Sequence, residues 1–421
     1  MQNTKSNDKK EKRVLAENFV AVALTQIIIY VFPLITLPYL SRVLGAEKFG
    51  LVFWAQATMM YGVMLTDFGF NNSAVREFSI HRDDKEKMSE IFSSILLIKM
   101  FFVFICFIFL TLAVIFVPQI HAEWKLFGLS FFIIVGNAFY PLYFFQGIEH
   151  MKYITFLNIL SRSLFLLLIF IFVKEQGDYL YVALMNSFGF LIPGILALYL
   201  AHKRFGINFK IPSKEELIHQ VKYSSEFFLA RVSAAGYTNT NTFVLGLVLT
   251  PVYVGYYTAA EKIYGAVVGL AAPFSQVLYP YVAKSRNIKR YKKIFKFAML
   301  FFLCACGFVF IFSKNIVSIF YGINLLPAYK VLKIFCFAAL CGVTSNLLGF
   351  PLLGGMGYTK DANYSIVFGS LWHILGIGLL LLFKIANIYT ISVLVVTTEF
   401  VILAYRVIKI AKYKLWSDNI T

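Results

Sequence analysis

Apolar runs of about twenty residues recur along the whole chain, each closed by a charged or turn-forming cluster, and a run of that length crosses the hydrocarbon core of a bilayer as a helix. Twelve such helices are expected, at about 18 to 40, 51 to 73, 91 to 117, 126 to 146, 154 to 173, 179 to 201, 223 to 249, 257 to 283, 294 to 313, 329 to 353, 362 to 383 and 389 to 408. Pro33 and Pro38 in the first helix and Pro273 and Pro280 in the eighth are expected to bend them, with neighbouring groups satisfying the freed carbonyls. The longest connection, residues 202–222, contains IPSKEEL and divides the helices six and six. The expected architecture is therefore an all-α integral membrane protein: a tail over 1–17, a six-helix bundle over 18–201, a linker over 202–222, a second bundle over 223–408 and a tail over 409–421.

An even division of this kind suggests an internal repeat. Sliding the second half back by 205 residues aligns YLSRVLGAEKFGLVFWAQ with FVLGLVLTPVYVGYYTAAE, pairing Leu40 with Leu245, Val43 with Val248, Leu44 with Leu249, Gly50 with Gly255 and Ala55 with Ala260. Six helices per half start both halves on the same side, so such a repeat is parallel rather than inverted.

Composition agrees with the pattern. The 421 residues are 59% hydrophobic, 18% aromatic and 14% charged, with a mean hydropathy of +0.74; globular domains are near half apolar and a quarter charged. The net charge of +18 would suggest nucleic acid in a soluble protein, but its distribution gives another reason. If the amino terminus is cytoplasmic, 27 of the 39 Lys and Arg residues fall on cytoplasmic tails and loops, as the positive-inside rule requires. Both termini are then cytoplasmic, in the cytoplasmic membrane, and no nucleic-acid partner is needed. The basic start MQNTKSNDKKEKR leads into a run from Phe19 to Leu40 without an Ala-x-Ala site, which reads as a retained first span and not a signal peptide.

Candidate chemistry is sparse. The five cysteines all lie in apolar runs without metal-ligand spacing, so neither a disulfide framework nor a metal is expected. There is no phosphate loop, H-E-x-x-H or G-x-S-x-G motif, so no enzyme and no cofactor is expected; GGMGYTK at 354–360 reads as a turn between the tenth and eleventh helices. Of the six histidines only His373 sits clearly within a span, as a hydrogen-bonded core residue. The outward loops are short, which disfavours catalysis on a hydrophilic acceptor at the outer face.

Ionisable groups at bilayer depth are costly and mark pathways. They are Asp67, Lys99, Arg162, Glu226, Arg231, Glu261, Lys262 and Glu399. Asp67, Lys99 and Arg162 lie within two turns of a helix end and are expected to reach the interface. In the seventh helix Arg231, Ala235, Thr238 and Thr242 recur at i, i+4, i+7 and i+11, a polar stripe suited to a water-filled cavity, with Asn239 and Asn241 as flanking donors for a glycan. The alternative is helix packing through Ser, Thr and Asn. Glu261, Gly265 and Gly269 share a face of the eighth helix and are expected to meet a packed neighbour. Glu261, Glu399 and Glu226 are the candidate ion-coupling carboxylates, since unpaired burial favours the protonated form; a buried pair with Arg231 or Lys262 is the competing reading.

Several strings carry a family resemblance: YLSRVLGAEKFG after the first span, TDFGFNNSAVRE closing the second, FFQGIEHMKYIT, LGLVLTPVYVGYYTAAEKI and LYPYVAK. In this order they resemble the polysaccharide transporter family, nearest to Wzx-type O-antigen flippases. That family lies within the superfamily of multidrug, oligosaccharidyl-lipid and polysaccharide exporters. The resemblance covers essentially the whole chain. It implies a flippase moving undecaprenyl-pyrophosphate-linked oligosaccharide repeat units to the outer leaflet for O-antigen or lipopolysaccharide biosynthesis. It also implies two bundles around a V-shaped cavity that opens alternately to either side, with a polysaccharide polymerase and a chain-length regulator as partners. Cavity cations would engage the pyrophosphate or acidic sugars, a role carried to Arg231, Lys262 and Arg42. The competing classes are a membrane oligosaccharide polymerase or ligase and a cation-coupled multidrug extruder.

Overall fold

The computed structural model describes residues 2–235 and 240–416, with side chains over 31–228 and 240–416. Among the described residues every regular element is helical. The chain forms two compact units, residues up to Leu44 with Ala55–Val232, and Gly45–Trp54 with residues from Ser233 onward. The first contains most of α1 (Gln2–Asp67), then α2 (Phe70–Ile80), α3 (Lys85–Phe116), α4 (Pro118–Ala122), α5 (Trp124–Ala138), α6 (Leu142–Gly147), α7 (Met151–Phe172), α8 (Tyr179–Phe205) and nearly all of α9 (Lys214–Ala235). The second contains α10 (Thr240–Val248), α11 (Pro251–Gly269), α12 (Ala271–Ser285), α13 (Ile288–Ile311), α14 (Ser313–Tyr321), α15 (Ala328–Leu347), α16 (Thr359–Leu382) and α17 (Ile388–Lys412).

Ten segments among the described residues are long and apolar enough to cross a membrane, so this is a multi-pass membrane protein. The first, Val31–Ile80, has 50 residues, more than two crossings require. The first two expected spans thus fall largely on α1, which ends at a Phe68–Gly69 break with both φ positive and is interrupted internally at Gly45. There φ is 67° and ψ 179°, a conformation only glycine adopts cheaply. The expected seventh span runs through residues outside the description, between the end of α9 and the start of α10. The remaining nine fall on α3, α5 with α6, α7, α8, α11 with α12, α13, α15, α16 and α17. Their outward faces are apolar, as on α3, where Phe101, Phe104 and Phe107 are exposed.

Three local departures have physical causes. The linker shortens because α8 continues to Phe205, closes on Gly206 in the left-handed region, and α9 begins at Lys214. The expected bend in the eighth span is a break at Leu270; Pro273 has no N–H for the carbonyl of Gly269. The tenth span ends in a π-helical turn, Leu348–Gly354, containing Pro351. Pro351 cannot donate to the carbonyl of Leu347, and the Tyr291 hydroxyl of α13 donates to it at 2.8 Å. The turn expected at GGMGYTK follows directly, with the Tyr358 N–H donating to the Leu353 carbonyl at 2.7 Å.

The segment Gly45–Trp54 packs within the second unit at α10 and α11. A β-carbon on Gly50 would lie 1.9 Å from the carbonyl oxygen of Pro251, and one on Gly255 would lie 2.3 Å from that of Ala46. Adding 205 to 46 and 50 gives 251 and 255, so the contact is reciprocal between positions equivalent in the internal alignment. Such reciprocity is what a two-fold contact requires. Beside it the Trp54 indole donates to the Phe243 carbonyl at 3.1 Å.

Candidate functional site

Polar side chains inside the second unit form a ladder along α17. At its top the His373 ring of α16 is fully buried, with Nε2 2.8 Å from Asn241 Oδ1 of α10 and Nδ1 2.8 Å from Thr398 Oγ1. Beside Thr398, the Glu399 carboxylate accepts from the Tyr264 hydroxyl of α11 at 3.2 Å. Seven residues on, Arg406 is buried; its Nε donates to Ser365 Oγ at 2.8 Å, and Nη1 donates to the hydroxyl and carbonyl oxygens of Ser345. A second pair of residues seven apart makes room for these charges. A β-carbon on Gly342 would come 3.2 Å from the Glu399 carboxylate, and one on Gly349 would come 2.5 Å from Arg406 Nη1. At the end of α17, Lys409 pairs with Asp361 at 2.7 Å. On α10 and α11, the Thr242 hydroxyl donates to Glu261 at 3.2 Å, while Lys262 is exposed with its ammonium 5.3 Å from the Phe53 ring centre.

The first unit holds its own interior charges. Lys99 is fully buried, 3.5 Å from Asp67 and 5.2 Å from the Tyr143 ring centre; Asp67 also accepts from Asn71 at 3.1 Å. At the start of α3, Lys87 donates to Glu90 at 3.0 Å and to Glu216 of α9 at 2.8 Å. The Gln220 amide donates to both Glu216 and Glu77, and the His219 ring lies 3.6 Å from Glu77. One ligand atom each from Glu77, Glu216 and His219 lies within 4.8 Å of the others. Both carboxylates, however, already have protein donors. Burial of Glu216 favours its neutral form, but the hydrogen bonds from Lys87 and Gln220 outweigh it and hold the carboxyl below its ordinary pKa. The group is therefore read as a polar clasp between α9 and the α2–α3 corner.

Comparison with known proteins decides the family. The family described as polysaccharide biosynthesis protein matches residues 15–286, more than half of the chain. The chain belongs to that family. A putative O-antigen transporter of Escherichia coli (strain K12) is 29% identical over 385 residues, covering 90% of this chain and 91% of that protein. One of Shigella dysenteriae is 25% identical over 351 residues, covering 82% and 88%. Among solved structures, the lipid II flippase MurJ in an inward closed conformation matches with a TM-score of 0.67 at 16% identity, covering 94% of this chain and 87% of that one. An inward-facing multidrug resistance MATE family transporter of the MOP superfamily matches at 0.68 and 15%, covering 94% and 99%. The fold is that of these transporters, and none of these relatives is named as an enzyme.

The residues expected at a site fall on both units. Arg42 and Glu226 are exposed. Thr238, Asn239 and the Arg231 side chain lie outside the described residues. Glu261, Asn241 and Glu399 belong to the polar contacts of the second unit. Two expectations need correction. Lys99 and Asp67 do not reach an interface but pair inside the first unit. Gly265 makes no close approach, since a β-carbon there would meet nothing within 4 Å; Glu261 is held by Thr242 instead. His373 is the hydrogen-bonded core residue expected of it. Arg406 was missed as an interior charge because it lies near a helix end among solvated lysines. The available signal was the match between Gly342 and Gly349 and the equally spaced Glu399 and Arg406.

Proposed function

We propose that this chain is a flippase that moves undecaprenyl-pyrophosphate-linked oligosaccharide repeat units from the cytoplasmic to the outer leaflet of the cytoplasmic membrane, by alternating access, for O-antigen or another surface polysaccharide. Family membership is the observation that carries the reading, supported by the putative O-antigen transporter names of the two relatives. A pyrophosphate drawn through a low-dielectric region needs cations that offset its desolvation without holding it too tightly. Arg231, Lys262 and Arg42 are assigned that role, and Thr238 and Asn239 are assigned contacts to the glycan. Asn241 would share that role only by giving up its bond to His373.

Glu399, Glu261 and Glu226 are the candidate coupling carboxylates. Glu399 is the strongest of the three: it is buried beside Tyr264 and on the same face as Arg406, so its charge state bears on the packing of α15 against α17. Both termini facing the cytoplasm, and a polymerase and chain-length regulator as partners, complete the reading.

Reconstitution with fluorescent lipid-linked oligosaccharide tests it. Protein-dependent loss of the label from one leaflet is expected, and no such movement with ion gradients supplied would overturn the proposal. Arg231→Ala and Lys262→Ala are each expected to slow translocation at unchanged protein abundance. Glu399→Gln is expected to abolish the response to an imposed ion gradient.

A further inference from the structure

The corner between α12 and α13 gathers seven basic residues, Lys284, Arg286, Lys289, Arg290, Lys292, Lys293 and Lys296, in thirteen positions. Residues 262–360 contain no Asp or Glu. The corner is tight: Arg286 takes a left-handed conformation (φ 48°) at the end of α12, and the Asn287 side chain accepts from the Arg290 N–H at 3.0 Å to start α13. Lys284, Arg286, Lys289, Arg290, Lys293 and Lys296 are all exposed, and no ion pair joins any of them to a carboxylate among the described residues. These six cations are open to an anion from outside the chain.

The direction in which the cations point says from where. Lys289, Lys293 and Lys296 lie at helical spacing with Phe297, Leu300 and Leu303, which are 67%, 61% and 56% exposed on a helix apolar enough to span the membrane. The cations and the lipid-facing apolar residues therefore share one face, with the cations in its first three turns. Arg290 lies over the Tyr281 ring at 5.6 Å and Lys292 over the Trp416 ring at 5.8 Å, the amphipathic aromatics that settle at headgroup level. A soluble anion would meet only exposed, salt-screened charges here. A phospholipid brings its phosphate to Lys289 and Lys293 with the same molecule whose chains cover Phe297 and Leu300.

We propose that the α12–α13 corner is a binding site for anionic phospholipid headgroups of the leaflet in which α13 begins. The site is independent of the transported substrate and needs no assumption about orientation. Full-length protein in phosphatidylcholine nanodiscs containing phosphatidylglycerol tests it, the lipid retained through mild delipidation being counted by native mass spectrometry. Each cation near an anionic surface contributes on the order of a fivefold preference. The wild type is expected to retain phosphatidylglycerol at least about tenfold over phosphatidylcholine, more at low salt. K289Q/K293Q/K296Q is expected to lose most of that preference, and K289R/K293R/K296R to keep it. Equal retention of both lipids by the wild type overturns the proposal whether or not the glutamine variant folds. So does an undiminished preference in that variant, or displacement of the lipid by millimolar inorganic phosphate.

Discussion

Lys99 and Asp67 show how a membrane interior keeps a charge. Neither side chain reaches water, so each is tolerated because the other neutralises it, with Tyr143 beside Lys99 and Asn71 donating to Asp67. Removing one partner of a buried pair costs about 3–5 kcal/mol, whereas removing both costs less. Lys99→Met is therefore expected to lower the thermal unfolding temperature of the detergent-purified protein sharply. Adding Asp67→Asn is expected to recover part of the loss; a fully additive double variant would refute the coupling. Glu216 behaves differently because it lies outside the spans. Its carboxyl is held below the ordinary value of about 4.3, so the contribution of the clasp is present above that value and lost as pH falls through the lower folded value. Lys87→Met is expected to move to higher pH the point at which residues 206–213 become open to limited proteolysis.

At the scale of the element, helix breaks in this protein are each met by a side chain or a glycine. The π-helical turn after α15 follows from Pro351, and Tyr291 and Arg406 donate to carbonyls at its entrance. Tyr291→Phe removes one such bond from a buried carbonyl and is expected to cost about 1 kcal/mol, read as a fall in unfolding temperature with helix content unchanged. Arg406→Lys is expected to be more damaging than its charge suggests, because a single ammonium cannot reproduce the divergent donation to Ser345 and Ser365.

For the whole molecule, the reciprocal contact of Gly50 and Gly255 ties the internal alignment to a packing requirement. A methyl group at either position would overlap a backbone oxygen, which a rigid helix crossing does not easily relieve, so Gly255→Ala is expected to destabilise by about 1–3 kcal/mol. Gly265→Ala, on the same helix but facing open space, is expected to be neutral or to stabilise by up to about 1 kcal/mol through helix propensity. Measuring both unfolding temperatures in one detergent checks the contrast. Similar losses at the two positions would show that the crossing is not the cause.

The apolar runs and the family strings are local properties, legible in the sequence because a bilayer demands about twenty apolar residues per crossing wherever the helix sits. The positions of the helix interruptions were partly legible too, since proline and glycine act through their own backbone. Partnership was not. Lys99 near a helix end looks the same in sequence whether it turns to the headgroups or inward to Asp67, and Arg406 looks like one more cytoplasmic lysine or arginine. The choice depends on which helix stands opposite and whether that helix presents a glycine or a carboxylate. Residues far apart in the chain meet only when the helices pack, so the apolar spacing determined that this chain enters a membrane, and tertiary contact alone decided where its interior charges lie.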